Sequence, residues 1–170
     1  TSRWFYLSNL PSYDLGQTYS VRVQTSYNNG ASYGPYGSSC NITTFFPTTQ
    51  LPTSQCGITL TSDNSAIVAN LVSGATNYRF EVTGPNGYYQ LISKTIRQLY
   101  LSDLATYERG QTYSIRVCLS FNNGLVYGPF GSTCNITTSH PRTQIQTSQC
   151  GATLTNNTTA IVANPITGVA

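Results

Sequence analysis

Tyr78, Phe80 and Val82 alternate with Arg79 and Glu81, the period of two that marks a strand with one buried face. The same alternation returns where Tyr113, Ile115 and Val117 interleave with Ser114 and Arg116. Shorter apolar groups lie around these two. Residues 56–60 predict an opening strand, ended by the polar turn 61–65, and Ile67, Ala69 and Val72 predict a second. Tyr89, Leu91 and Ile92 mark a fourth, Leu99, Leu101 and Leu104 a fifth, and Cys134, Ile136 and Thr138 the last. The breaks carry turn residues: Gly74-Ala75, Gly84-Pro85-Asn86-Gly87 and Asn122-Asn123-Gly124. Asn-Gly favours a tight primed turn, because both residues tolerate positive φ. No segment has a helical period. Seven short strands separated by such turns predict an all-β sandwich, with closure into a small barrel as the alternative.

The pattern then repeats. Residues 1–76 return at 95–170, shifted by 94 positions without a gap, and 45 of the 76 aligned pairs are identical. A period of this length suits one small β-sandwich with its own core and predicts a tandem array. The expected organisation is the C-terminal part of one repeat (1–44), a linker (45–55), a complete repeat (56–138), a second linker (139–149) and the N-terminal part of a third repeat (150–170). Starting and stopping inside a repeat, the chain reads as a window on a longer polypeptide. Pro, Thr and Gln in the linkers favour an extended, stiff backbone. Phe45-Phe46 is apolar for such a segment and predicts packing against a neighbouring domain or another chain.

Composition narrows the function classes. Charged residues are only 8% of the chain, against about a quarter in ordinary globular proteins. Regularly spaced β-formers and the lack of a charge excess argue against disorder. The net charge of +3 is scattered, which gives no reason to expect a nucleic-acid partner. No apolar run approaches the length of a membrane span. Four of the five cysteines occupy repeat-matched positions, Cys40/Cys134 and Cys56/Cys150, which predicts disulfides and an extracytoplasmic setting. With no C-x-x-C and His140 as the sole histidine, no zinc pattern exists. Cys118 stands opposite Gln24, and alternation turns it outward. It is expected to be a partly covered free thiol, or else a cross-link or packing contact with another chain.

Candidate chemistry is sparse. The acidic residues are Asp14, Asp63, Glu81, Asp103 and Glu108, and Asp63 and Asp103 are matched by Asn157 and Asn9. Acid–base catalysis needs two carboxylates at a defined separation. No nucleophile elbow, phosphate loop or calcium loop is present. Neither an active site nor a cofactor or metal is expected. The sequons at Asn41, Asn135, Asn156 and Asn157 read as strand and turn residues. The candidate contact surface is aromatic: Tyr27, Tyr33 and Tyr36, with their counterparts Phe121, Tyr127 and Phe130, surround Asn-Asn-Gly and Gly-Pro-[Tyr/Phe]-Gly. Such rings can stack on glycans or a partner. They can equally fold back and seal the domain against the linker, and sealing is the expectation.

Two stretches carry a family resemblance. Residues 112–117 (Thr-Tyr-Ser-Ile-Arg-Val), preceded by a turn with Gly110, resemble the sixth strand of fibronectin type III domains, with Tyr113 and Tyr19 at the corner tyrosine. Residues 74–82 resemble the third strand and the turn before it. The second-strand tryptophan of that family is absent, with Ala69 near its place. Taken with Thr49-Gln50-Leu51, Ser54-Gln55-Cys56-Gly57, Tyr127-Gly128-Pro129-Phe130-Gly131 and Cys134-Asn135-Ile136-Thr137-Thr138, the chain looks like a fibronectin III-like repeat of large secreted surface proteins of Bacteroidota, commonly exported by type IX secretion and including adhesins of gliding bacteria.

Under the strand order of that family, the first and seventh strands run the same way. A Cys56–Cys134 bond within the domain is then expected, with Cys40 and Cys150 paired outside the chain. The rival is a clasp across each linker, Cys40–Cys56 and Cys134–Cys150. The resemblance implies an adhesin stalk or fibre at the cell surface, whose partners are neighbouring repeats and, laterally, other chains or surface glycans. A self-assembling filament, and spacer or carbohydrate-binding modules of a secreted enzyme, are the alternatives.

Overall fold

The computed structural model describes residues 3–166. Its strands are β1 (Thr18–Val21), β2 (Cys40–Thr43), β3 (Ile67–Val68), β4 (Asn77–Thr83), β5 (Tyr89–Lys94), β6 (Gln98–Leu99), β7 (Thr112–Ser120) and β8 (Cys134–Thr137). The helical elements among the described residues are single 3-10 turns. Strands β5-β4-β7-β8 form a four-stranded antiparallel sheet, and β3 pairs with β6. The molecule is all-β.

The alternation in the sequence sets the faces of the large sheet. Phe80 lies opposite Ile92 on β5 and Val117 on β7, while Glu81 lies opposite Leu91 and Arg116. Tyr78, Phe80, Val82, Tyr113, Ile115, Val117 and Leu119 are buried on the inner face. They meet Ile67, Ala69, Leu99, Leu101 and Leu104 from the β3–β6 layer in one continuous core. Phe80, 0% exposed, is its largest fully buried side chain. A fully buried side chain of this class stabilises by roughly 1.5–3 kcal/mol.

Turn chemistry follows expectation. Asn123 and Gly124 both have positive φ, 57° and 81°, and Leu125 N–H closes the turn on Asn122 O at 3.3 Å. Asn29-Gly30 repeats this geometry. The Tyr113 corner is also built. Its hydroxyl accepts the Glu108 N–H at 2.8 Å, as Tyr19 accepts that of Asp14 at 2.8 Å.

Three expectations need correction. The opening strand at 56–60 is reduced to one parallel bridge, Thr59↔Thr137. Gly57 N–H donates to Asn135 O, Thr137 N–H to Ile58 O and Leu60 N–H to Thr137 O. These backbone bonds all run to β8, while the Leu60 side chain enters the core. The fifth strand stops at Leu99, and Leu101–Asp103 turns as 3-10. Asp103 Oδ2 accepts the Tyr100 N–H at 2.8 Å, which caps the turn.

The third correction concerns the linker at 45–55, which is not a free tether. Leu51 is 2% exposed and belongs to the core. Thr49 Oγ1 donates to Asn70 O at 2.8 Å, Asn70 N–H donates to Gln50 O at 2.9 Å, and the Gln55 amide clamps Ala66 O and Val68 N–H at 3.3 and 2.9 Å. Residues 49–55 thus run along the segment that holds β3. The same bonds recur 94 positions later: Thr143 to Asn164, Asn164 to Gln144, and Gln149 to Ala160 and Val162. The hairpin β1–β2 likewise repeats β7–β8 residue for residue, Thr18↔Thr43 answering Thr112↔Thr137.

Candidate functional surface

The aromatic residues of the long hairpin separate into two places. Phe121 follows β7 at the end of the sheet and packs edge-on against Phe46, ring centroids 5.6 Å apart. Phe46 also lies on Gly16 below and on Gly128 above. A methyl group at Gly128 would come within 2.1 Å of the Phe46 ring, so only glycine leaves room for it. Phe46 therefore sits between the turn at Gly16 and the segment that carries Phe121 and Gly128. Tyr13, Asp14, Leu15 and Gln17 complete the cleft from below, and Asn122 and Val126 from above. At the other end His140, the counterpart of Phe46, lies on Gly110 as Phe46 lies on Gly16.

Tyr127 and Phe130 turn back over the outer face of the sheet. The Arg79 guanidinium stands 3.7 Å from the Tyr127 ring centroid, and that of Arg116 stands 4.6 Å from Phe130. Arg116 also grips Glu81 with two bonds, at 2.6 and 3.0 Å, which aims the guanidinium plane. Gly128 N–H donates to Leu119 O and Gly131 N–H to Val117 O, holding the returning chain against β7. Phe121, Tyr127 and Phe130 are half-buried here. Tyr27, Tyr33 and Tyr36 are exposed, Tyr27 almost wholly at 99%. Arg22 nevertheless stands over Tyr36 at 4.2 Å, repeating the Arg116–Phe130 stack. Stacks of this type contribute about 0.5–2 kcal/mol each.

This cover decides the state of Cys118. The residue does face the outer side, in register with Arg79, but it is only 1% exposed. The expectation of a partly covered thiol is therefore corrected to full burial beside the Arg79–Tyr127 stack. Desolvation pushes the thiol up to about 11, despite the nearby Arg79 charge. At pH 8 such a thiol holds roughly a hundredth of the thiolate of an ordinary cysteine. Iodoacetamide is therefore expected to modify exposed Cys40 and Cys150 in the native chain, and Cys118 only after denaturant is added. Mass spectrometry of the alkylated peptides checks this. Labelling of native Cys118 at the rate of the other two would mean that the cover is absent.

The cysteine pairing is the intradomain one. Cys56 and Cys134 are bonded, with Cα atoms 5.0 Å apart across a sequence separation of 78. Cys40 and Cys150 are exposed and unbonded, and the clasp across each linker does not form.

The carboxylates are distributed rather than gathered. Asp63 pairs with Arg109 at 2.6 Å, Glu81 with Arg116, and Asp103 with Lys94. Burial works to raise the Asp103 pKa, but the Lys94 ammonium and the Tyr100 N–H outweigh it and hold the carboxyl below its ordinary value. In the matching turn Asn9 Oδ1 accepts the Tyr6 N–H at 2.9 Å. An acceptor oxygen is what the two turns share, which explains the exchange of Asp for Asn. Thr138, buried, donates its hydroxyl to Glu108 O at 2.7 Å and accepts the Gln111 N–H at 3.1 Å. Thr44 does the same with Asp14 and Gln17. The sequence marks Thr138 and its counterpart Thr44 as strand residues recurring at a shift of 94, but not as hydrogen-bonding locks. Among the described residues no three His, Cys, Asp or Glu side chains converge as a metal site would require. No helix there is long and apolar enough to cross a membrane. No family model and no curated protein matches this chain.

Proposed function

We propose that the chain is part of an array of seven-stranded, fibronectin III-like β-sandwiches with a 94-residue period, acting as the stalk or fibre of an extracellular cell-surface adhesin. The observation that carries this reading is the seat of Phe46 between Gly16 on one unit and Gly128 and Phe121 on the next. A spacer that only tethered its domains would leave this segment in water. Here an aromatic ring is packed at the joint and residues 49–55 are bonded into the next unit, so the joint is stiff. Stiff joints in series give reach. The Cys56–Cys134 bond supports an oxidising, extracytoplasmic location.

A filament is the second reading, favoured by exposed Tyr89 and Leu91 on the edge strand β5, since unpaired edges bearing apolar groups invite lateral association. Negative-stain electron microscopy of the native parent protein separates the two. Long single beaded strands are expected. Ordered bundles joined side by side would replace the stalk with a filament.

A further inference from the structure

Cys56, where the chain enters this domain, lies beside Cys134 at the start of the last strand, and a covalent bond joins them. Tension arriving from the preceding unit passes Phe46, runs through residues 49–55 and reaches Cys56. Tension leaving the domain departs along β8, which starts at Cys134. The two Cα atoms are 5.0 Å apart. Everything that makes the core, from Leu60 through Phe80 and Val117 to Leu119, lies in the chain between the two cysteines. Only Leu51 and Ile136, with Cys134 itself, contribute to the core from elsewhere.

We propose that the Cys56–Cys134 bond is a force shunt: axial tension crosses each domain through the sulfur–sulfur bond and bypasses the loop between the two cysteines, which holds most of the core. The idea rests on the stalk reading for its use, but not for its physics. Hydrogen-bonded strands yield when their bonds are loaded one after another, whereas the shunt replaces that path with a covalent link. What remains extensible is the stretch between one bond and the next. Cys40 and Cys56 are 16 residues apart (56 − 40), as are Cys134 and Cys150 (150 − 134). Such a stretch extends to at most about 55 Å. It contains the seated Phe46 and the Thr49, Gln50 and Gln55 bonds, so its release is opposed by packing at the joint. The array would then be a chain of inextensible beads joined by short, stiff, reversible springs.

The shunt is also a redox element. Cys56 is exposed whereas Cys134 is buried, so a reductant thiolate reaches the Cys56 sulfur. Its attack forms a mixed disulfide on Cys56 and releases the Cys134 thiolate, which takes a proton from water. The second thiol of a dithiol reductant then displaces Cys56 as a thiol, and the reductant leaves as its cyclic disulfide with both electrons supplied.

The test is to pull this chain by its first and last residues in optical tweezers. Without reductant, no release attributable to the 78-residue loop is expected. Dithiothreitol added under held tension is expected to lengthen the chain by a further step of about 270 Å, the extended length of that loop. A chain with Cys56→Ala and Cys134→Ala should give the longer contour with no reductant, whether or not it folds, because contour length does not depend on folding. Release of the long step from the oxidised wild-type chain would overturn the proposal, as would a reductant-treated chain no longer than the oxidised one. Neither result depends on the appearance of the parent protein by microscopy, so failure of the shunt and failure of the stalk reading are separate events.

Discussion

Replacing Cys56 and Cys134 together by alanine is expected to lower the unfolding free energy by about 4.5 kcal/mol. The bond closes a loop of 78 residues, and the entropy it removes from the unfolded chain grows with the logarithm of that length. Domains of this size are stable by only about 5–15 kcal/mol, so the loss is a large share of the total. With a urea slope of about 1–3 kcal/mol per molar for small proteins, the midpoint should fall by about 1.5–4.5 M. Equilibrium unfolding in urea, followed by tyrosine fluorescence with and without reductant, measures it directly. Reduced wild-type and the double variant should coincide. A loss under about 1 kcal/mol would mean that the bond closes an already constrained chain, and the stability of the domain would then have to come from its packing alone.

Phe80→Ala is expected to cost about 3–5 kcal/mol, the transfer of a buried ring plus the cavity left by incomplete collapse. Phe80 is 0% exposed and lies between Ile92 and Val117 in the large sheet. Its neighbour in register on the other face gives the control. Leu91 stands opposite Glu81, is 46% exposed, and should lose less than about 1 kcal/mol on substitution by alanine. The comparison tests the pairing itself, because a slip of one residue between β4 and β5 would exchange buried and exposed positions. If Leu91→Ala proved the costlier change, the register would be the one displaced by a residue.

Both predictions draw on features of different visibility. The alternation at Tyr78, Phe80 and Val82, and at Tyr113, Ile115 and Val117, names the inward residues of β4 and β7, because a strand writes its two faces into adjacent positions. The Asn123-Gly124 turn is equally local, since few residues take positive φ at so little cost. The Cys56–Cys134 pairing needed an assumed strand order. Composition and cysteine positions alone left two pairings open.

What escaped the sequence reading shares one property: each feature depends on segments far apart in the chain. Leu51, Thr49 and Gln55 sit in a run rich in Pro, Thr and Gln, with no periodicity to mark it as part of a domain. They become structural because the segment at 66–70 offers N–H and C=O groups for them to meet. Cys118 obeys the alternation and still ends up buried, because a chain returning through Tyr127 and Gly128 lies over the outward face. Among the aromatic candidates, residue type foretold that Phe121, Tyr127 and Phe130 would make contacts, but not that one seats against Phe46 and two lie beneath arginines.

By itself, then, the amino-acid sequence determined the repeat, the β class, the turns and the inner faces of the long strands, all of which are properties of neighbouring residues or of plain recurrence. Only the tertiary structure decided that residues 49–55 join the core, which thiols are joined and which outward residues are covered. Those outcomes are set by contacts across tens of residues, and no local pattern records which segments will meet.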